Sequence, residues 1–249
     1  MQSVEGIILI ISCQRHQHTR LPKYGLQEKE FEGWKIYKVI GNLTIGIPYK
    51  LEENLITINC EDSYFHLMKK TVLAIKILNE MYDIKQGILK LGDDLLINKE
   101  NLSKFLKIQK TDYMGKPNIS FNRNINNLGS MTDNFMMAYY KTHLDDFKNP
   151  MHGLKNVNVR MYRQRPDISY IVGVAIYLSK KACNILVDHM KKRNFNILHK
   201  ERKGYPYVVE DVGIGYILLI NKIKPTLFTL YDEKNTSPNA IGFHTNENR

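Results

Sequence analysis

The stretch Ile88-Leu89-Lys90-Leu91-Gly92-Asp93-Asp94-Leu95-Leu96-Ile97-Asn98 constrains this chain more than any other. An apolar run ends in two adjacent carboxylates, a second apolar run follows, and Asn98 is placed to open a helix. Residues 88–91 suit a buried strand, and in open α/β sheets ligands bind beyond the carboxyl ends of strands. Carboxylates there are able to hold a hard divalent cation, which in turn holds phosphate oxygens. Successive strand side chains point to opposite faces, so Asp93 and Asp94 share one ion only if the chain bends at Gly92. Two exposed loop aspartates fit the same spacing, and the local pattern leaves both readings open.

The rest of the chain supplies partners for that strand. Residues 6–12 form a continuous apolar run, as expected of a strand buried on both faces. A polar, basic loop over residues 13–24 follows where such sheets face their ligands. Its His16 and His18 read as surface residues. Residues 34–40 read as a second strand and 55–58 as a short third. Asp62 or Ser63 is placed to cap a helix running to about Tyr82, with a stripe of Leu67, Val72, Ala74, Ile75 and Leu78. Asn98 caps a helix over 99–108. The apolar segment 170–178 contains Gly173, and a glycine within a strand marks close approach of backbone or ligand. Ser179 then caps a helix to about Arg193. Glu210 and Asp211 precede an apolar helix over 212–220, where a plain capping role competes with a functional one. Residues 224–231 read as the last strand.

Residues 122–134 are rich in Asn and lack apolar periodicity, which predicts a long surface loop of the binding or lid kind. Residues 139–164 resist assignment, and for His152, Arg160, Arg163 and Arg165 acceptor contact and plain surface are both open. No repeat or linker divides the chain, so the expectation is one α/β domain over 1–249.

Composition narrows the partners. The net charge of +11 over 249 residues favours anionic ligands: nucleic acid, anionic lipid headgroups or a nucleotide diphosphate. An AT-rich coding bias toward Lys, Asn, Ile and Tyr explains the same charge, and the basic residues are scattered except at 191–193 and 200–203. Three widely spaced cysteines, Cys13, Cys60 and Cys183, argue for reduced thiols and a cytoplasmic setting rather than a zinc cluster or disulfides. No run approaches a membrane span, and residues 7–11 have no basic segment before them, so a signal peptide is not expected.

Five stretches, in order across nearly the whole chain, together resemble the β-1,3-glycosyltransferase family of β-1,3-galactosyltransferases, β-1,3-N-acetylglucosaminyltransferases and Fringe. Ile10-Ile-Ser-Cys with Arg15 and Arg20 is similar to the opening strand and loop. Asp62-Ser-Tyr-Phe-His-Leu-Met-Lys-Lys-Thr71 resembles Asp-x-Tyr-x-Asn-Leu-x-x-Lys-Thr, with His66 in place of Asn. Lys90-Leu-Gly-Asp-Asp-Leu-Leu-Ile-Asn98 is similar to Lys-x-Asp-Asp-Asp-x-x-x-Asn. Residues 170–179 resemble Tyr-Cys-Ser-Gly-Gly-Gly-Tyr-x-Leu-Ser, and Glu210-Asp-Val-Gly-Ile-Gly215 resembles Glu-Asp-Val-x-x-Gly.

The resemblance implies a GT-A fold, a single Rossmann-like domain with a central mixed β-sheet flanked by helices. It implies inverting transfer of galactose or N-acetylglucosamine from a UDP-sugar to a hydroxyl of a glycan, glycolipid or glycoprotein. Mn2+, or Mg2+, would assist. Residue by residue, it implies Asp211 as general base and Asp94 with His244 as metal ligands. Asp93, Asp62, Lys70, Arg20, Gly173 and Glu210 would line the nucleotide-sugar site. Gly92 departs from the pattern, standing where the first aspartate of the triple belongs, and Val174 and Ala175 replace two glycines. Cellular members carry a membrane anchor and disulfides. Neither is evident here, which fits a cytoplasmic version such as a large DNA virus or AT-rich microbe encodes, with peripheral membrane association through its positive charge. Nucleic acid is not an expected partner of such an enzyme. A basic nucleic-acid-binding protein, an inactive UDP-sugar-binding homologue and a metal-dependent hydrolase using Asp93, Asp94 and Glu210 stand as alternatives.

Overall fold

A computed structural model describes residues 1–118, 144–154, 169–197, 206–233 and 237–244. Its strands are β1 (Gln2–Ile11), β2 (Trp34–Gly41), β3 (Tyr49–Glu52), β4 (Leu55–Ile58), β5 (Tyr82–Gly92), β6 (Leu95–Ile97), β7 (Tyr113–Pro117), β8 (Ile171–Ser179), β9 (Thr226–Leu227), β10 (Tyr231–Asp232) and β11 (Gly242–His244). The α-helices are α1 (Leu67–Met81), α2 (Lys99–Lys107), α3 (Leu144–Lys148), α4 (Lys180–Lys191) and α5 (Glu210–Ile220).

Eight strands make one mixed sheet in the order β3-β4-β2-β1-β5-β8-β7-β9. The run β4-β2-β1-β5 is parallel, and β8 is antiparallel to both β5 and β7. Covered by helices, this is the mixed α/β arrangement expected. Ile7, Ile8, Leu9 and Ile10 of β1 are each 0% exposed, which explains why the strand is apolar without alternation. Alternate residues serve two cores. Ile7, Leu9, Ile11 and Ile88 face the layer holding α1, α4 and α5. Ile8, Ile10, Leu89 and Leu91 face the layer holding α2 and the loop after β1.

Register does the positioning. Ile11 of β1 pairs with Gly92 of β5, and Leu91 pairs with Ala175 of β8. The residues that follow β1 and β5 therefore emerge side by side, next to the start of β8. A second sheet, β10-β11-β6, stands beyond that edge and brings the chain's last described residues onto the segment after β5.

Most expected elements appear, with corrections that have physical causes. The predicted loop over 13–24 contains short 3-10 turns at Gln14–His16 and Leu21–Tyr24. The helix expected from Asp62 begins at Leu67 after a 3-10 turn, Tyr64–His66. Neither candidate cap serves it: Asp62 accepts from Gly41 N, Gln14 N and Lys70, while the Ser63 hydroxyl meets His66 Nδ1. Asn98 and Ser179 do cap their helices, accepting from Asn101 N and Ala182 N. The strand expected over 224–231 is two short ones, because residues 226–227 pair with β7 whereas 231–232 pair with β11 in the other sheet. The loop at 122–134 and the arginines at 160, 163 and 165 lie outside the described residues. No helix among the described residues is long and apolar enough to cross a membrane.

Gly87 makes the β5–β8 pairing possible. Its φ is +155°, and a Cβ there would stand 2.1 Å from the Leu178 carbonyl oxygen. Gly87→Ala is expected to destabilise the fold by about 3 kcal/mol, since the obstacle is backbone that must shift. Urea denaturation followed by circular dichroism measures this, and an unchanged midpoint contradicts it.

Candidate functional site

The loop after β1, the turn after β5, the start of β8, the first turn of α5 and the end of β11 converge at one rim of the sheet. Because β1 and β5 end level, the Ser12 hydroxyl donates to Asp93 Oδ2 at 2.6 Å. Arg20 Nη1, from the loop after β1, meets Asp93 Oδ1 at 3.1 Å, with both side chains mostly buried. The buried Tyr24 hydroxyl donates to the Gly92 carbonyl, tying the same loop to the turn. Burial and the nearby charges of Asp94 and Asp93 hold that phenol far above its ordinary range.

Asp94 points elsewhere. Its Oδ2 lies 2.8 Å from His244 Nε2, contributed by β11 across the second sheet. Burial pushes the Asp94 carboxyl up, but the hydrogen bond and charge of His244 and the charge of Arg20 outweigh it, leaving the proton affinity below the ordinary carboxylate value. The turn at Asp93 and Asp94, directly after Gly92 ends β5, sends the two aspartates to different partners. A Cβ at Gly92 would stand 2.8 Å from Asp94 Oδ1 and 3.6 Å from the Val174 carbonyl oxygen. Asp94 packs into the space that an aspartate at 92 would need.

Asp94 and His244 are the pair able to hold a cation. One carboxylate oxygen and one imidazole nitrogen lie together there, a mixed oxygen and nitrogen donor set. Among the described residues no group of three or more His, Cys, Asp or Glu able to hold a metal ion gathers.

Asp211 opens α5 on the other side of the Gly173–Val174 segment. Its Oδ2 accepts from Gly173 N at 3.2 Å and its Oδ1 from Val212 N at 2.8 Å. Burial is the largest influence on its acidity and the neighbouring Glu210 charge the next. Both oppose ionisation, and against the two N–H bonds and the Lys90 charge they raise the pKa to about 6. A Cβ at Gly173 would stand 3.3 Å from Glu210 Oε2, a tight approach, and 3.5 Å from Asp211 Cβ, an ordinary one.

Three expected ligand contacts belong to the interior instead. Lys70 is 0% exposed, with Nζ 2.7 Å from Asp62 Oδ1 and 2.5 Å from the Ser12 carbonyl oxygen. Asp62 has its oxygens committed to Lys70, Gly41 N and Gln14 N. These two lock the end of β1 to α1, because a buried ammonium must be paired and a buried carboxylate must be filled with donors. Glu210 is likewise buried, with Oε2 2.6 Å from Lys90 Nζ and Oε1 accepting from the Thr71 hydroxyl. Arg20 and Asp93 do reach the rim, as do Asp94, Gly173 and Asp211, while His244 is itself buried and joined to Asp94.

Sequence reading missed Ser12, Tyr24 and Lys90 as parts of this arrangement. Ser12 and Lys90 stand in the stretches that resemble the family, Lys90 also as a charge in an otherwise apolar strand, and Tyr24 ends the basic loop, but none of the three carried a role. Cys13, Cys60 and Cys183 are unpaired, and burial raises the thiols to about 11, 12 and 12.

A family model described as galactosyltransferase matches residues 48–227, more than half of the chain. That span includes β5, the Gly92-Asp93-Asp94 turn, Gly173 and Asp211. No curated protein matches the sequence. Among solved structures, the chain is similar to the glycosyltransferase GlyE of Streptococcus pneumoniae TIGR4, at 9% identity and a TM-score of 0.40. The alignment covers 94% of this chain and 47% of that one, so the chain spans about half that structure's length.

Breaking the Lys70–Asp62 lock strands a buried charge. Lys70→Met is expected to cost about 3–5 kcal/mol, and Lys70→Met with Asp62→Leu to recover much of it, because the second change removes the orphaned carboxylate. Equilibrium denaturation of both variants checks this, and equal losses in the two contradict it.

Proposed function

This chain belongs to the galactosyltransferase family, and we propose that it transfers a hexose, galactose or N-acetylglucosamine, from a UDP-sugar to a glycan hydroxyl with inversion. The observation that carries the reading is Asp211. A partly buried carboxylate with a pKa near 6, fixed by two backbone N–H groups beside a glycine, suits a general base. It takes the proton of the acceptor hydroxyl as that oxygen attacks the anomeric carbon, a contribution worth about 10²–10⁴ in rate. The half-way pKa matters: the group is ionised at neutral pH yet basic enough to accept a proton.

Asp94 and His244 would hold the divalent cation, Mn2+ or Mg2+. Bound there, the cation supplies Lewis-acid stabilisation of the departing diphosphate. Arg20 adds positive charge at the same rim, and Ser12 with Arg20 keeps Asp93 oriented for the sugar or ribose. Asp94 fills the space beside Gly92, which supports a donor site that works with two aspartates rather than three. The glycan, glycolipid or glycoprotein acceptor approaches from the Asp211 side.

Asp211→Asn is expected to lower transfer by about 10²–10⁴ while UDP binding persists. Activity near the wild-type level removes Asp211 from the base role. Because the base must be unprotonated, the wild-type rate rises with pH through about 6 and then levels off. On the acid side it falls about tenfold per pH unit. A profile flat down to pH 5 contradicts the assignment.

Cation use has its own readout. Thermal melts with UDP, UDP-galactose, UDP-N-acetylglucosamine or UDP-glucose, each with and without manganese, are expected to show one sugar nucleotide stabilising most. The gain is about 2.7 kcal/mol at a hundredfold excess over Kd. Asp94→Asn is expected to remove the manganese-dependent part of the shift. An identical shift in that variant contradicts the cation site.

A further inference from the structure

Lys90 is a buried charge that the transfer chemistry above leaves unused. Ile88, Leu89 and Leu91 around it are each 0% exposed, and Lys90 itself is 3% exposed. Strand alternation turns its side chain toward α1 and α5, away from the face of Leu89 and Leu91. There Nζ lies 2.6 Å from Glu210 Oε2 and 2.5 Å from the Gly173 carbonyl oxygen. The other Glu210 oxygen accepts from Thr71 of α1. Gly173, held through its carbonyl by Lys90, donates its own N–H to Asp211 Oδ2. One ammonium thus ties β5, β8 and α5 together, and Asp211 adjoins the tie twice: through the Gly173 N–H, and as the neighbour of Glu210 in the chain.

We propose that the buried Lys90–Glu210 pair is a positioning device for Asp211, holding the first turn of α5 against β8 and fixing the electrostatic environment in which that carboxylate works. The proposal deepens, and rests on, the reading of Asp211 as the base. Gly173 joins the pair to Asp211, accepting from Lys90 through its carbonyl and donating to the Asp211 carboxylate, and that is the route by which the pair acts. Among the described residues, the charged and titratable groups facing Asp211 include Glu210 from its own helix, Lys90 from β5 and Tyr113 from β7. Glu210 opposes ionisation of Asp211 and Lys90 favours it. Removing one or the other must therefore move Asp211 in opposite directions, which a merely structural pair would not do.

The test is titration of Asp211 by carbon NMR on protein labelled at its aspartate carboxyls, with the signal assigned by its loss in Asp211→Asn. The pH profile of transfer is recorded alongside. Glu210→Gln is expected to lower the midpoint from about 6. Lys90→Met is expected to raise it, and Lys90→Met/Glu210→Gln to fall between Glu210→Gln and Lys90→Met. Shifts of about one pH unit correspond to tenfold in the ionised fraction on the acid side, and the acid limb of the transfer rate should move with each. Lys90→Met leaves Glu210 buried without a counter-charge and is the variant most prone to misfold. Glu210→Gln and the neutral double variant then decide by themselves. Asp211 midpoints unmoved in both overturn the proposal. Transfer retained in Asp211→Asn defeats the base assignment instead, an outcome the NMR midpoints distinguish from failure of the proposal.

Discussion

The level parallel register of β1 and β5 is the constraint on which the rest of the structure depends. Ile11 beside Gly92 makes Ser12 and Asp93 neighbours, although 81 residues separate them in the chain. Side chains alternate with period two, so a slip of one residue would turn every one to the opposite face. Lys90 would then leave Glu210 and enter the layer of Leu89 and Leu91. The fully buried apolar run of β1 protects the register, because any slip exposes or crowds isoleucines on both faces at once.

Inside that frame two buried lysines do similar work at different strand ends. Lys70 pairs with Asp62 and the Ser12 carbonyl, and Lys90 pairs with Glu210 and the Gly173 carbonyl. Taking an ammonium and a carboxylate out of water costs several kcal/mol each, and their attraction offsets this only with good geometry and added hydrogen bonds. The net gain in stability is therefore small. What each pair fixes is location: Lys70 sets where the loop after β1 begins, and Lys90 sets where β8 meets the first turn of α5. Both lie directly beneath the rim, where small displacements matter most to positioned groups.

The rim carboxylates differ because their environments differ. Asp93 is held by a hydroxyl and a guanidinium, Asp94 by an imidazole, and Asp211 by two backbone N–H groups beside a negative neighbour. Positive partners hold Asp94 below the ordinary carboxylate range, while burial and Glu210 push Asp211 up to about 6. Separated proton affinities among nearby carboxylates are what an acid–base reaction beside a charged leaving group requires.

The sequence by itself determined the strand-forming apolar runs, the caps at Asn98 and Ser179, and the family through motifs spaced along the chain. These are local matters: apolar runs of four to eight residues, a side chain reaching an N–H three residues on, and short patterns that keep their order. It did not reveal that Lys70, Asp62 and Glu210 are interior groups, or that residues 224–231 split between two sheets. Those outcomes depend on partners far away in the chain. Glu210 finds Thr71 across 139 residues and Lys90 across 120, and His244 finds Asp94 across 150. Only tertiary structure decides which carboxylates face the ligand and which face a buried lysine, because that choice rests on register and on hydrogen-bond satisfaction in a low-dielectric interior.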